Sequence, residues 1–158
     1  MKSCILVFAF LMSVCSVVAQ EKRIDVSPGL YEIQLGKPFE PVQKLFGTVT
    51  EKDVKTGRDY SVLLDPEGTE YAELLGGKVQ KLEVYIENGL IREIIVIYGK
   101  KVKWLVVKKN AGELYGMAEC TDSEQNNVPA YCSWEGERYS LYLYTRESGY
   151  FKATFSLR

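Results

Sequence analysis

The chain has 158 residues, 20 basic against 21 acidic, and no histidine. A formal charge of −1 gives no overall electrostatic footprint for nucleic acid or for an anionic membrane, so neither is an expected partner. The missing imidazole removes Ser-His and Cys-His nucleophile pairs, most zinc and non-haem iron sites, and the commonest general base near neutral pH.

Residues 1–19 carry one basic side chain, Lys2, then a mostly apolar run, then Val17-Val18-Ala19 ahead of Gln20. This pattern predicts a signal peptide cleaved after Ala19 and a secreted or periplasmic product. Ser13 and Ser16 interrupt the run, which is shorter than the roughly 20 residues a membrane span needs. Val14 stands where a lipid-modified Cys15 would want a small residue. The product, residues 20–158, is expected to be one α+β domain with no membrane insertion, carrying 19 basic and 21 acidic residues once Lys2 is lost. Cys4 and Cys15 would leave with the signal. Cys120 and Cys132 remain, and in an oxidising compartment they should form a structural disulfide, contributing roughly 3 kcal/mol on a chain-entropy account.

Residues 20–27 are polar and expected to fray. Residues 30–35 alternate as one short strand ended by Gly36. In KPFEPVQKLFG, Phe39, Val42, Leu45 and Phe46 share one face of a short helix that Gly47 stops. A charged loop over 48–57 leads to apolar runs at 60–64 and 69–74 around Asp65-Pro66-Glu67-Gly68, predicting a hairpin. Residues 78–98 predict a second hairpin closed by a type I′ turn at Asn88-Gly89. Residues 107–115 read as helix, with Trp104, Val107, Ala111, Leu114 and Tyr115 on one face, whereas 101–106 suit helix or strand. After a polar loop over 121–127, three strands follow at 130–134, 139–146 and 150–157.

A shift of sixty residues aligns Tyr71 with Tyr131, Gly76 with Gly136, Lys78 with Arg138, Gly89 with Gly149, Arg92 with Lys152 and Ile97 with Leu157. The helix ends also match, Lys44-Leu45-Phe46-Gly47 with Glu113-Leu114-Tyr115-Gly116. The expected architecture is therefore one antiparallel sheet with two helices on one face, built from two helix-plus-strands repeats at about 38–99 and 101–158. Over that span the chain resembles the β-lactamase-inhibitor-protein-like tandem repeat domains, and the small outer-membrane-assembly lipoproteins that share the half-unit. It departs from the lipoproteins in having no lipobox. The resemblance implies a non-catalytic protein-binding module outside the cytoplasm, and no functional residue carries over from it.

If pairing alternates outward from Ile86 and Ile91, one face holds Leu82, Val84, Ile86, Ile91, Ile95 and Ile97, joined by Tyr142, Tyr144, Phe151, Phe155 and Leu157, and is the core face. The other mixes charges with Tyr85, Arg92, Ile94, Val96, Tyr98, Leu141, Leu143 and Lys152, the composition of a protein-binding patch. These eight are the candidate binding residues, and the expected partner is another exported protein, met as inhibitor, immunity factor or envelope-assembly accessory. A loop, the N-terminal strand or a second copy could instead cover this face. Glu93 falls on the core face, which requires either an open end or a bulge. Two other functions stand beside this one: a carbohydrate-binding or carbohydrate-active protein using Trp134 and acidic residues, and a carrier of a small ligand or lipid. No catalytic set, metal site or cofactor is expected.

Overall fold

The computed structural model describes residues 23–26, 29–46, 51–64, 66–121, 130–145 and 150–158. The expected signal peptide, Gly47, Asp65, the 122–127 stretch and Gly149 lie outside the described residues.

In chain order the elements are α1 (Arg23–Val26), β1 (Gly29–Leu30), β2 (Ile33–Gln34), a 3-10 helix (Glu40–Phe46), β3 (Glu51–Lys52), β4 (Asp59–Leu64), β5 (Glu73–Leu74), β6 (Gly77–Glu87), β7 (Leu90–Tyr98), α2 (Trp104–Tyr115), β8 (Glu119–Thr121), β9 (Tyr131–Glu135), β10 (Tyr139–Thr145) and β11 (Phe151–Leu157). β1 and β2 form a small hairpin of their own. The other nine strands make one antiparallel sheet in the order β3-β4-β6-β7-β11-β10-β9-β8, with β5 paired to the start of β6. The α+β class and the antiparallel sheet are as expected.

Several local expectations need correction. The alternating stretch at 30–35 is two strands folded about Tyr31, whose φ of 51° turns the chain back. Gly29 permits this, because a Cβ there would lie 2.8 Å from the Gln34 backbone. Residues 60–64 do not pair with 69–74. The ladder Ser61↔Val84 and Leu63↔Leu82 joins β4 to the long β6, while Thr69 and Ala72 close successive turns on the Pro66 and Thr69 carbonyls at 3.0 and 3.2 Å. Helix α2 starts at Trp104, so only 101–103 stay out of it.

The N-terminal segment does not fray at 23–26. Ile24 is buried, and the Asp25 carboxylate accepts backbone N–H groups of Glu137, Arg138 and Tyr139 at 2.7, 2.9 and 3.2 Å. Gly136 lies so close beneath that carboxylate that a Cβ would collide with it. Burial raises the Asp25 pKa, but the three backbone donors outweigh it and hold the group below its ordinary 3.8.

The central hairpin forms as its turn residues dictate, with Asn88 and Gly89 at φ of 52° and 77° between Glu87 and Leu90. Beyond the first two pairs the register slips: Ile86 faces Ile91, but Tyr85 faces Glu93, so Arg92 is an extra residue in β7. This bulge settles the position of Glu93. It sends Glu93, Ile95 and Ile97 to the outer face and brings Ile94, Val96 and Tyr98 into the core, where all three are fully buried.

The second hairpin, β10 with β11, runs from Tyr139↔Leu157 to Thr145↔Phe151 without a slip. Phe151 and Phe155 are in the core as expected. Leu141 and Leu143 are there too, and Tyr142 and Tyr144 point outward, the reverse of the expectation. The face-preserving offset between the hairpins is fifty-nine, pairing Leu82 with Leu141, Val84 with Leu143, Ile94 with Ala153 and Val96 with Phe155. A shift of sixty differs from it by one residue and so reverses the face.

Val107, Ala111 and Tyr115 of α2 are buried, with Trp104 edge-on to Phe151 and Tyr115 edge-on to Phe155. Val42 and Phe46 of the 3-10 helix enter the same apolar cluster beside Phe39. At the far edge of the sheet, Cys120 and Cys132 face each other across β8 and β9, 4.1 Å apart at Cα, and are joined by a disulfide. That bond agrees with an exported protein.

Candidate functional site

The side of the sheet opposite the core displays tyrosines from five strand positions, and cross-strand pairing sets them in two groups. On the β4–β6 side, Tyr60 faces Tyr85 and the rings stack at 5.5 Å. Arg58 lies 4.8 Å over the Tyr85 ring and pairs with Glu93 at 2.9 Å. The Tyr60 hydroxyl donates to Glu51 at 2.6 Å, and that bond, with burial and the Glu51 charge, pushes its pKa up to about 12. Burial raises the Tyr85 pKa as well, with Glu83 adding to it.

On the β9–β10 side, Tyr131 stacks on Tyr142 at 5.9 Å. The Tyr142 hydroxyl donates to Glu135 at 3.2 Å, and the Lys152 ammonium sits 5.4 Å over the Tyr144 ring. These rings surround a hollow of about 600 Å³ whose lining includes Glu93, Tyr131, Tyr142, Tyr144 and Thr154. Thr154 is buried, and among the described residues its hydroxyl has no hydrogen-bond partner. Ile95 pairs with Thr154 across β7 and β11, on the seam between the two tyrosine groups. Burial raises the Tyr131 pKa, as it does that of Tyr85.

Of the eight sequence-predicted residues, Tyr85 and Lys152 lie on this face. Arg92 sits half-buried in the bulge, 2.9 Å from Glu87 as an ion pair without hydrogen-bond alignment. Ile94, Val96, Tyr98, Leu141 and Leu143 are fully buried on the opposite side, turned there by the bulge and by the fifty-nine-residue register. Trp134 is 3% exposed and donates its indole N–H to the Gly116 carbonyl at 2.9 Å, so its ring is no open platform for a sugar.

Sequence reasoning missed Tyr60 and Tyr131 and put Tyr142 and Tyr144 on the core side. The alternation Leu141-Tyr142-Leu143-Tyr144 contained the signal. Leucine is the better core filler, and a tyrosine hydroxyl wants water or a partner. Among the described residues no group of three His, Cys, Asp or Glu side chains could hold a metal, and no helix is long and apolar enough to cross a membrane. No protein-family model, curated protein or solved structure matches the chain.

Proposed function

We propose that the chain is an exported binding protein that captures another exported protein on the outer face of its sheet, as an inhibitor, an immunity factor or an envelope-assembly accessory does. The observation that carries this reading is the tyrosine array: Tyr60 on Tyr85 and Tyr131 on Tyr142, with Tyr144 and Lys152 beside the hollow. Tyrosine gives large rigid contact area at low entropic cost, and it is enriched at the centres of protein interfaces. The contact set under this reading is Tyr60, Tyr85, Tyr131, Tyr142, Tyr144 and Lys152.

Export through the signal at 1–19 has support in the Cys120–Cys132 disulfide. The tandem organisation has support in the strand order, where β7 and β11 adjoin and the two hairpins share one register at an offset of fifty-nine. Two repeats with their helices over one face would match the β-lactamase-inhibitor-like arrangement.

The test is affinity capture from the envelope and culture fluid of the source, read by mass spectrometry, with wild type against a Tyr85→Glu/Tyr142→Glu variant. One enriched protein, lost in a variant that melts like wild type, supports the reading; capture that survives the double substitution moves the site elsewhere. The stacked Tyr131–Tyr142 pair beside the unpartnered Thr154 hydroxyl favours one second reading, a glycan bound on these rings. That reading expects a glycan-array signal which Tyr142→Ala removes.

A further inference from the structure

The near-zero net charge of the chain hides a strong local imbalance. From Ile94 to Gly112 there are five lysines, Lys100, Lys101, Lys103, Lys108 and Lys109, and no acidic residue. Among the described residues Lys101, Lys103 and Lys108 have no carboxylate partner, and Lys109 reaches Glu113 only at 3.5 Å with both side chains largely in water. Within this basic stretch, at the first turn of α2, Leu105 is 72% exposed and Val106 39% exposed. Helical geometry explains why: Val107, Ala111 and Tyr115 form the buried stripe, which turns Leu105 and Val106 outward on the side that also carries Lys109. Next to this turn lies a hollow of about 210 Å³, lined in part by Lys78, Lys100 and Lys101.

We propose that this segment is a peripheral docking surface for an anionic lipid bilayer. Leu105 and Val106 enter the boundary between headgroups and acyl chains, the lysines lay their stems along it with ammonium groups at the phosphates, and the hollow beside Lys78, Lys100 and Lys101 receives one headgroup phosphate. Composition separates this occupant from an acidic protein. Protein interfaces are depleted in lysine and anchored by Tyr, Trp and Arg, whereas two bare aliphatic side chains ringed by lysines are the pairing that a charged lipid surface rewards. Contact of this kind needs both components, since neither a few aliphatic groups nor a basic patch holds a protein stably by itself. The surface is distinct from the tyrosine face, so the chain could meet a membrane and a partner at once.

Co-sedimentation of the exported, disulfide-bonded protein with vesicles tests this, using phosphatidylcholine alone against phosphatidylcholine mixed with phosphatidylglycerol. Binding is expected to the anionic vesicles only, and to vanish at about 1 M salt, where the screening length is about 3 Å. Lys101→Glu/Lys103→Glu should weaken it more than about tenfold, each lysine near the surface being worth about fivefold. Leu105→Ser should weaken it severalfold. These side chains face water, so melting temperatures should not move, and Tyr85→Glu should bind vesicles like wild type, which separates this proposal from the tyrosine face. Absence of anionic-vesicle binding, equal binding to phosphatidylcholine, or full binding by the charge-reversed variant overturns it. So does retention on heparin or polyglutamate without vesicle binding, which would assign the patch to an acidic polymer.

Discussion

The two long hairpins share a pairing register at an offset of fifty-nine residues, yet only β6–β7 slips within it, at Arg92 and at Gln80. In β10–β11 the alternation of side chains runs unbroken from Tyr139 to Thr145, and Leu141 and Leu143 fall inside with Tyr142 and Tyr144 outside. In β6–β7 the same alternation holds only because Arg92 bulges out and resets it, taking Glu93 from the core side to the outer side beside Arg58. A bulge is thus the device by which a strand with one misplaced carboxylate keeps three large apolar residues in the core. It also twists the strand more strongly next to the seam with β11.

The strongest way to break this comparison is to insert one alanine between Glu93 and Ile94. The added residue reverses every face beyond it and turns Ile94, Val96 and Tyr98 out of the core, a change comparable to the roughly 5–15 kcal/mol stability of a whole domain. The expected result is loss of cooperative urea unfolding, whereas deletion of Arg92, which keeps Tyr85 opposite Glu93 and Val84 opposite Ile94, should leave it cooperative; a native-like transition in the insertion variant would show that the strand absorbs a second bulge. Next in size are substitutions that read the register directly. Ile94→Ala and Leu143→Ala should each cost about 2–5 kcal/mol in urea titrations, whereas Ile97→Ala, half-buried on the outer face, should cost less than about 1 kcal/mol. The opposite ranking of Ile94 and Ile97 would restore the unbulged register.

The disulfide separates the hairpins in another way, since it tethers only the β8–β9 edge. Cys120 and Cys132 are 12 apart in sequence, and replacing both by serine should lower stability by roughly 3 kcal/mol. An unchanged urea midpoint would show that β8 contributes little. The smallest effect is expected at Asp25, which docks on the β9–β10 turn. Its folded pKa lies below 3.8, so its contribution is present above that value and is lost as pH falls through the lower folded value. Asp25→Asn should therefore lower stability at neutral pH and flatten its acid limb below about pH 4. An acid limb identical to wild type would mean that the carboxylate contributes nothing to the turn.

Much of the sheet was legible because its signals are local. Asn88-Gly89 specifies a turn through φ angles that few other pairs accept, and the cysteines pair because they are the two left after the predicted signal. What escaped was decided over longer distance. Glu93 called for either a bulge or an open end, and the residues around Arg92 do not choose between them; the advantage of the bulge lies in Glu93 finding Arg58, thirty-five residues earlier in the chain. The fit of β4 against β6 depended on the length of β6, and Asp25 found its three donors more than a hundred residues away. The candidate site suffered most, because the bulge turned Ile94, Val96 and Tyr98 indoors and the fifty-nine-residue offset did the same to Leu141 and Leu143.

The pairing of β7 with β11 also has a meaning in time. Every other ladder of the main sheet joins strands that follow one another closely along the chain, but Ile95 must find Thr154 across nearly sixty residues. Closing that loop costs more chain entropy than any of the hairpins, and topologies rich in such contacts fold slowly. Each half can zip its own strands within microseconds and then wait on the meeting of the two central edges. Until they meet, β7 and β11 each present a row of unpaired amides and carbonyls, which makes the half-assembled chain most prone to swap strands with a second copy.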